Sequence, residues 1–277
     1  MRRHRKLISK RKYTAPFAIW IVAGTVIPIL TIAYYGITNR SGAFTFENIT
    51  AMFNSQHLQA FGMSLLLSVV STVVCLVLAF PMALILRESR FGKQGFMIFV
   101  FILPMWMNFL LRTMAWQVLL ERQGVINSII TSIGLNRQEM MGTPGAVVLG
   151  MVYDFLPFMV LPIYNVVSKI DNRLIEAAYD LGAGKFYVFR RVIFPLSIPG
   201  IASGVTMVFI PALTTFVISN MLGGGKVNLI GNIIEQEFTV NSNWYLGSGL
   251  SLVMMVFIIV SMLIVQKFGD GEEDHLL

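Results

Sequence analysis

The chain has 277 residues, of which 56% are hydrophobic and 13% are charged, and its mean hydropathy is +0.72. A soluble domain of this length needs far more surface charge, so these values exclude an ordinary soluble protein and indicate the bilayer as solvent. The single cysteine, Cys75, excludes an intrachain disulfide and a cysteine-based metal cluster. The formal charge of +7 does not predict a nucleic-acid partner, because the lysines and arginines lie mostly on one side of the apolar stretches.

Six apolar stretches follow one another along the chain, each near the ~20 residues that cross ~30 Å of hydrocarbon. We predict spans at approximately Ala15–Ile37, Met63–Leu86, Phe96–Leu120, Gly145–Val167, Ser197–Met221 and Gly247–Val265. Prolines and glycines interrupt the fifth stretch between residues 199 and 211. The sequence therefore predicts an all-α polytopic membrane protein. It consists of a basic N-terminal segment 1–14, a transmembrane domain 15–267 and a tail 268–277.

Lysine and arginine lie mostly on one side of these spans. Sixteen of them fall in the N-terminal segment, the loop around Arg87–Lys93, the loop Lys169–Arg191 and the tail, whereas four fall on the other side. The positive-inside rule then predicts a multi-pass protein of the cell (inner) membrane with both termini in the cytoplasm. The first apolar run is too long for a signal-peptide core and lacks a small-x-small cleavage site, so we interpret it as an uncleaved span.

The loop 169–196 has a helical pattern of its own. Asp171 can cap a helix that begins at Asn172. Apolar or small residues then recur at helical spacing, at Leu174, Ala177, Ala178 and Leu181. Gly182 stands where a C′ glycine would end that helix, and a second amphipathic stretch follows until Pro195 stops it. Periodicity alone favours two short helices that connect spans along the membrane surface.

The order of residues in this loop resembles the EAA motif of ABC importer permeases. That motif reads EAA, three residues, glycine, nine residues, and then I-x-L-P. The matching residues are Glu176, Ala177, Ala178, Gly182 and Pro195, and Val192 and Phe194 replace the isoleucine and the leucine. Within that family, four longer strings resemble spermidine/putrescine permeases in the same order. They are "SLLLSVVSTVVCLVLAFPMALIL", "FILPMWMNFLLRTMAW", "YDFLPFMVLPIYNVVSKID" and "MLGGGKVNLIGNIIEQEF".

The resemblance implies the six-span, MetI-like fold of type I ABC importer permeases, with a cytoplasmic coupling helix that sits in a groove of a partner ATPase. It also implies a polyamine importer in which this chain forms half of a heterodimeric pore. The partners would be a second permease subunit, two copies of the ATPase subunit and an extracytoplasmic substrate-binding protein. This chain would bind no cofactor, because the partner ATPase uses the ATP and Mg²⁺.

Two alternatives to a polyamine importer stay open. Permeases for other small solutes share the EAA loop, and a self-sufficient secondary transporter would show inverted repeats and an intramembrane ion site. The string "GGGK" at Gly223–Lys226 does not predict a nucleotide site, because Val227 follows where a Walker A loop needs Ser or Thr.

Asp154 is the sharpest candidate for a substrate contact. It lies near the midplane of the fourth predicted span, where an aspartate costs roughly 2.5–3.5 kcal/mol on insertion scales. Because Pro157 has no N–H, the carbonyl of Tyr153 lacks its helical donor, and this carbonyl, the carboxylate and the Tyr153 ring would suit an ammonium ion. The alternative is a structural pair with a polar group on another helix, such as Arg112. We expect Arg112 to snorkel to the interface, and Glu235, in the loop before the last span, to meet an incoming cation.

Overall fold

The structure is a computed structural model that describes residues 16–17, 19–89 and 103–270. In these residues every regular element is helical apart from an isolated bridge between Thr38 and Phe44. The predicted N-terminal segment 1–14 and the tail beyond residue 270 lie outside the described residues, as do residues 90–102.

Eleven helices make up most of the described chain. They are α1 (Ile19–Gly36), α2 (Ser55–Glu88), α3 (Phe109–Leu120), α4 (Val125–Ser132), α5 (Pro144–Val167), α6 (Asn172–Asp180), α7 (Lys185–Leu196), α8 (Ile198–Thr214), α9 (Val217–Leu222), α10 (Ile230–Thr239) and α11 (Trp244–Asp270). Short helical turns lie at Glu47–Thr50, Ala51–Phe53 and Leu103–Trp106. Among the described helices, α1, α2, α5 and α11 are long and apolar enough to cross a membrane, and α7 with α8 forms a fifth candidate, bent by 64°.

Two of the predicted spans are interrupted by breaks in the helix. The third begins outside the described residues, and its described part is the turn Leu103–Trp106 followed by α3. The side chain of Asn108 starts α3 by accepting hydrogen bonds from the backbone of Leu110 and Leu111. An amide that caps backbone N–H groups marks a new helix start rather than the interior of a continuous helix.

The fifth predicted span is also discontinuous. Helix α8 ends at Thr214, because Thr215 is extended with ψ of 138°, and α9 begins only at Val217. By contrast, the glycines in this stretch do not break α8. A Cβ at Gly200 would stand 3.0 Å from the Pro162 carbonyl of α5, so Gly200 lets the two helices approach closely.

The described residues form two compact units, one within the ranges 1–54 and 236–256 and the other within the ranges 55–235 and 257–277. In the larger unit, α2, α5 and α8 pack against one another. Their fully buried side chains include Cys75, Ala79, Val147, Met151, Met159, Val208 and Ala212. This three-helix core fixes the positions of the loop after α5 and of the polar residues inside α3 and α5.

The smaller unit is held by aromatic and polar contacts. The ring of Tyr35 meets the ring of Tyr245 edge to face, at a centroid distance of 5.3 Å. The Asn48 amide donates to the carbonyls of Gly36 and Thr38, at 3.3 and 2.9 Å. These bonds satisfy carbonyls at the end of α1 that have no partner inside the helix.

Candidate coupling loop and buried ion pair

The first arm of the loop 169–196 is the helix that its sequence predicts. Asp171 is the N-cap of α6, and its side chain accepts a hydrogen bond from the backbone N–H of Arg173 at 2.9 Å. This bond satisfies one of the N–H groups that a helix start leaves without a partner. The predicted start at Asn172 is therefore confirmed.

Gly182 ends α6 in a Schellman motif. Its φ is +81°, and its N–H donates to the Tyr179 carbonyl at 2.8 Å, while the N–H of Ala183 donates to the Ala178 carbonyl at 3.1 Å. A Cβ at Gly182 would meet nothing within 4 Å. The glycine is therefore required by its left-handed backbone conformation and not by lack of space.

Helix α6 turns its motif residues outward. It has no buried residue; Glu176 and Ala177 are exposed, and Ala178 is half-buried. Leu174 is 52% exposed and Leu181, just after the helix, is 89% exposed. Leu174 and Leu181 thus stand open on the surface of this loop.

The second arm, α7, continues slightly further than its sequence predicts. Pro195 stands at the first turn of the final helical piece, Phe194–Leu196, where its missing N–H is tolerated. The break comes at Ser197, and the chain turns there by 64° into α8. The corner between the loop and the span therefore lies two residues after Pro195, the predicted stop.

Inside the spans, Asp154 of α5 faces Arg112 of α3. Arg112 Nη2 lies 3.4 Å from Asp154 Oδ1, and the two side chains are 6% and 1% exposed. The Thr113 hydroxyl donates to Asp154 Oδ2 at 3.1 Å. Arg112 Nε and Nη1 have no hydrogen-bond partner among the described residues. The expectation that Arg112 snorkels to the interface is wrong, because a carboxylate on the neighbouring helix holds its guanidinium inside the protein.

The other residues predicted to see substrate, Tyr153 and Glu235, are more accessible than this pair. Tyr153 is 40% exposed and packs edge to face on Trp116 at a centroid distance of 5.4 Å, whereas Asp154 is buried. Both side chains nevertheless meet α3, the Tyr153 ring at Trp116 and the Asp154 carboxylate at Arg112. Glu235 lies in helix α10 and not in a loop.

Thr113 and Arg87 are site residues that the sequence did not reveal. Each matters through a contact with a residue far away in the chain, Asp154 for Thr113 and the start of α6 for Arg87. For Arg87 the signal in the sequence was weak, because it consisted only of an arginine in the last turn of a long helix that ends beside the charged loop.

The region that carries these features has the sequence pattern of a known family. The pattern of the family described as "Binding-protein-dependent transport system inner membrane component" matches residues 76–270. The chain belongs to this family. The matched range contains the buried ion pair and the complete loop 169–196 of the permease. The permease is therefore a multi-pass protein of the inner membrane.

Two relatives align with the permease over most of its length. The spermidine/putrescine transport system permease protein PotB of Haemophilus influenzae is 37% identical over 245 residues, which cover 86% of each chain. The protein of the same name from Escherichia coli is 34% identical over 253 residues, which cover 88% of this chain and 92% of the relative.

Solved structures show the same fold. A bacterial ABC transporter involved in the import of the acidic polysaccharide alginate superposes with a TM-score of 0.79 at 17% identity, covering 95% of this chain and 96% of that one. The MetNI methionine ABC transporter superposes with a TM-score of 0.53 at 18% identity, covering 79% and 95%. At these identities the likeness shows the fold alone, and it confirms the expected all-α, MetI-like permease architecture.

Proposed function

We propose that this permease is the transmembrane subunit of an ATP-driven importer of polyamines, of the spermidine and putrescine class. The observation that carries the proposal is the identity of 37% and 34% to two spermidine/putrescine permeases, over 86% and 88% of this chain. An alignment of this length includes the helices that would surround a substrate as well as the loop that would meet an ATPase.

In this proposal α6 is the coupling helix and sits in a groove of a partner ATPase. Leu174 and Leu181 supply exposed apolar surface, and the small side chains of Ala177 and Ala178 permit a close approach. Glu176 is the fifth of the nine residues of α6, beyond its first turn, and it offers an exposed carboxylate to the partner. Gly182 and Pro195 fix the two corners of the loop, so α6 moves with the spans to which it is joined.

The complete importer would contain two copies of the ATPase, a second permease subunit and an extracytoplasmic substrate-binding protein. ATP and Mg²⁺ would be bound by the ATPase subunits, and this chain would contribute no catalytic residue. Closure of the ATPases would draw the two coupling helices together and change the pore from inward-open to outward-open, a rigid-body transition of the hinge-and-shear kind.

The proposed orientation places both termini and the coupling loop in the cytoplasm. The excess of lysine and arginine in the N-terminal segment, the loop around Arg87–Lys93 and the loop Lys169–Arg191 supports it. The hydrogen bond from Arg87 to Asn172 adds support, because it joins the second and third of these basic segments.

The substrate path is a further part of the proposal. A carboxylate at membrane depth that lines a pore attracts an ammonium ion, and Asp154 is the candidate. In this conformation the Arg112 guanidinium already neutralises the carboxylate. A path past Asp154 therefore requires another state of the transport cycle, in which α3 and α5 separate. Tyr153 and Glu235, both partly accessible, are the further contacts that we propose along the path.

Reconstitution tests the proposal. The permease is assembled with its ATPase, the sister permease and the binding protein in proteoliposomes, and uptake of labelled spermidine is measured with and without ATP. We expect uptake that needs ATP and the binding protein. Uptake by this chain alone, driven by an ion gradient, would contradict the proposal and favour a secondary transporter.

A further inference from the structure

Arg87, in the last turn of α2, bridges to the beginning of the coupling loop. Its Nη2 donates to the Ile170 carbonyl at 3.0 Å and to the Asn172 side-chain oxygen at 2.8 Å. Ile170 lies in the link after α5, and Asn172 is the first residue of α6. One guanidinium thus joins the end of α2 to the link after α5 and to the coupling helix.

A second contact fixes the other arm of the loop to the same helix. The Phe80 ring of α2 lies 5.5 Å from the Phe189 ring and 5.9 Å from the Phe194 ring, measured between centroids, and both partners belong to α7. Phe80 and Arg87 are about two helical turns apart. The coupling loop therefore holds α2 at two points, one apolar and one polar.

The hydrogen bonds from Arg87 matter for the position of α6, because few other contacts among the described residues hold that helix. A cleft of about 640 Å³ opens beside it, lined by Arg87, Tyr164, Asp171, Ile175 and Tyr179 among others. Since α6 has no buried residue, side-chain packing positions it weakly. The two hydrogen bonds from Arg87 are charge-assisted, and such bonds are roughly twice as strong as neutral ones.

Helix α2 runs without a break from one end of its span to the coupling loop, although Pro81 lies inside it. It has 34 residues and is therefore ~50 Å long at ~1.5 Å per residue. Near its other end, the hydroxyl of Ser64 accepts a hydrogen bond from the backbone N–H of Ile230 at 2.8 Å, and both residues are buried. Ser64 thus links α2 to the segment where α10 begins.

We propose that Arg87 is a positioning residue that ties the coupling helix to α2, so that a movement of α6 becomes a movement of α2. This role rests on the proposed function, because it assigns a route to the motion that the ATPase imposes. Arg87 does not touch ATP or substrate in this proposal. It acts only by holding α6 and α2 in a fixed position relative to each other.

The test measures spermidine uptake and ATP hydrolysis in the same proteoliposomes of the complete importer. Arg87→Gln keeps a hydrogen-bonding side chain but removes the charge. We expect uptake per ATP hydrolysed to fall roughly tenfold, the effect of losing about one charge-assisted hydrogen bond, while hydrolysis stimulated by the binding protein persists. Arg87→Lys should recover part of the ratio, because an ammonium group keeps the charge and can reach one acceptor.

Two further variants sharpen the test. Asn172→Ala removes one acceptor and leaves the Ile170 carbonyl, so its loss should be smaller than that of Arg87→Gln. Lys267→Gln is the matched control, because Lys267 is also a cation in the last turn of a spanning helix and is exposed. Its ratio of uptake to hydrolysis should equal that of the wild type.

An unchanged ratio in Arg87→Gln overturns the proposal. If Arg87→Gln fails to assemble, Asn172→Ala decides: a lowered ratio supports the proposal and an unchanged ratio overturns it. A wild-type importer without ATP-driven spermidine uptake contradicts the proposed function itself, and with it this role of Arg87. The wild-type measurement therefore separates the two failures.

Discussion

Replacing Asp154 by Asn would keep the shape of the side chain and remove its charge from a buried ion pair. The Arg112 and Asp154 side chains are 6% and 1% exposed, and their charged atoms are 3.4 Å apart. Two unit charges at that separation attract by roughly 5 kcal/mol at an effective dielectric constant of about 20. Burial costs each ion several kcal/mol of hydration, so the pair comes close to breaking even, whereas a lone buried arginine does not. We expect Asp154→Asn to lower the free energy of unfolding by about 3–5 kcal/mol.

The assay is the folded yield of the purified permease and the temperature at which half of it loses its monodisperse peak. Asp154→Asn should lower both, and the double variant Asp154→Asn with Arg112→Gln should recover most of the loss, because no charge is then left unpaired. Thr113→Val is a graded control, since it leaves both charges in place and removes a hydroxyl that lies 3.1 Å from the carboxylate and 3.1 Å from the Phe109 carbonyl of its own helix. Its expected cost is about 1–3 kcal/mol.

Two results would refute this reasoning about the ion pair. One is an Asp154→Asn permease as stable as the wild type, and the other is a double variant no more stable than the single one. Uptake of labelled spermidine answers the separate question of the substrate path. If the carboxylate contacts substrate, uptake stays low in the double variant even where yield returns. Full uptake by Asp154→Asn removes Asp154 from the path.

Three further substitutions test other parts of the structure. Gly182→Val should weaken ATPase attachment or its stimulation, because a β-branched residue at a φ of +81° is strained by roughly 1–3 kcal/mol, whereas Gly182→Asn should be milder; equal stimulation in Gly182→Val and the wild type would contradict the coupling-helix assignment. Leu181→Asp should leave folded yield unchanged, since Leu181 is 89% exposed, but reduce co-purification with the ATPase; unchanged co-purification would exclude Leu181 from the interface. Gly231→Ala should destabilise the permease by about 1–3 kcal/mol, because its Cβ would lie 2.8 Å from the Thr214 carbonyl. Gly145→Ala, with only an ordinary contact at 3.8 Å, is the control in a thermal-stability measurement, and equal stability of the two variants would contradict the prediction.

The sequence predicted the structure of the loop 169–196 well because the signals in it are local. Asp171 and Gly182 each fix the backbone within a few residues of themselves, the first through a cap and the second through a left-handed turn. Such signals do not depend on what the rest of the chain does. The structure accordingly begins α6 at Asn172 and ends it just before Gly182, as predicted.

The breaks in the spans were harder to predict. Hydropathy reports how well a segment tolerates lipid and not whether its helix is continuous. The predicted spans Phe96–Leu120 and Ser197–Met221 are largely apolar on either side of Asn108 and Thr215, where the structure interrupts the helix. Asn108 before an apolar run was a cap signal of the same kind as Asp171, and it lay inside a segment interpreted as one span.

The contacts of Arg112 and Arg87 depend on tertiary packing. Depth along a span suggested that Arg112 could reach the interface, but the direction of its side chain depends on how α3 packs against α5. Likewise, nothing local to Arg87 indicates that the loop after α5 returns to it 83 residues later. The sequence shows that both groups are guanidinium ions, but only the fold shows which residues they contact.

Leu174 and Leu181 remain open to water for as long as α6 has no partner. In the proposed orientation they face the cytoplasm, where chaperones and proteases act on exposed apolar surface. A permease made in excess over its ATPase would therefore keep this apolar surface exposed, whereas assembly with the ATPase would cover it. We expect a shorter lifetime of this chain in cells that lack the ATPase, as measured by pulse-chase labelling. The surface that we propose to transmit force would then also match the number of permeases to the number of ATPases.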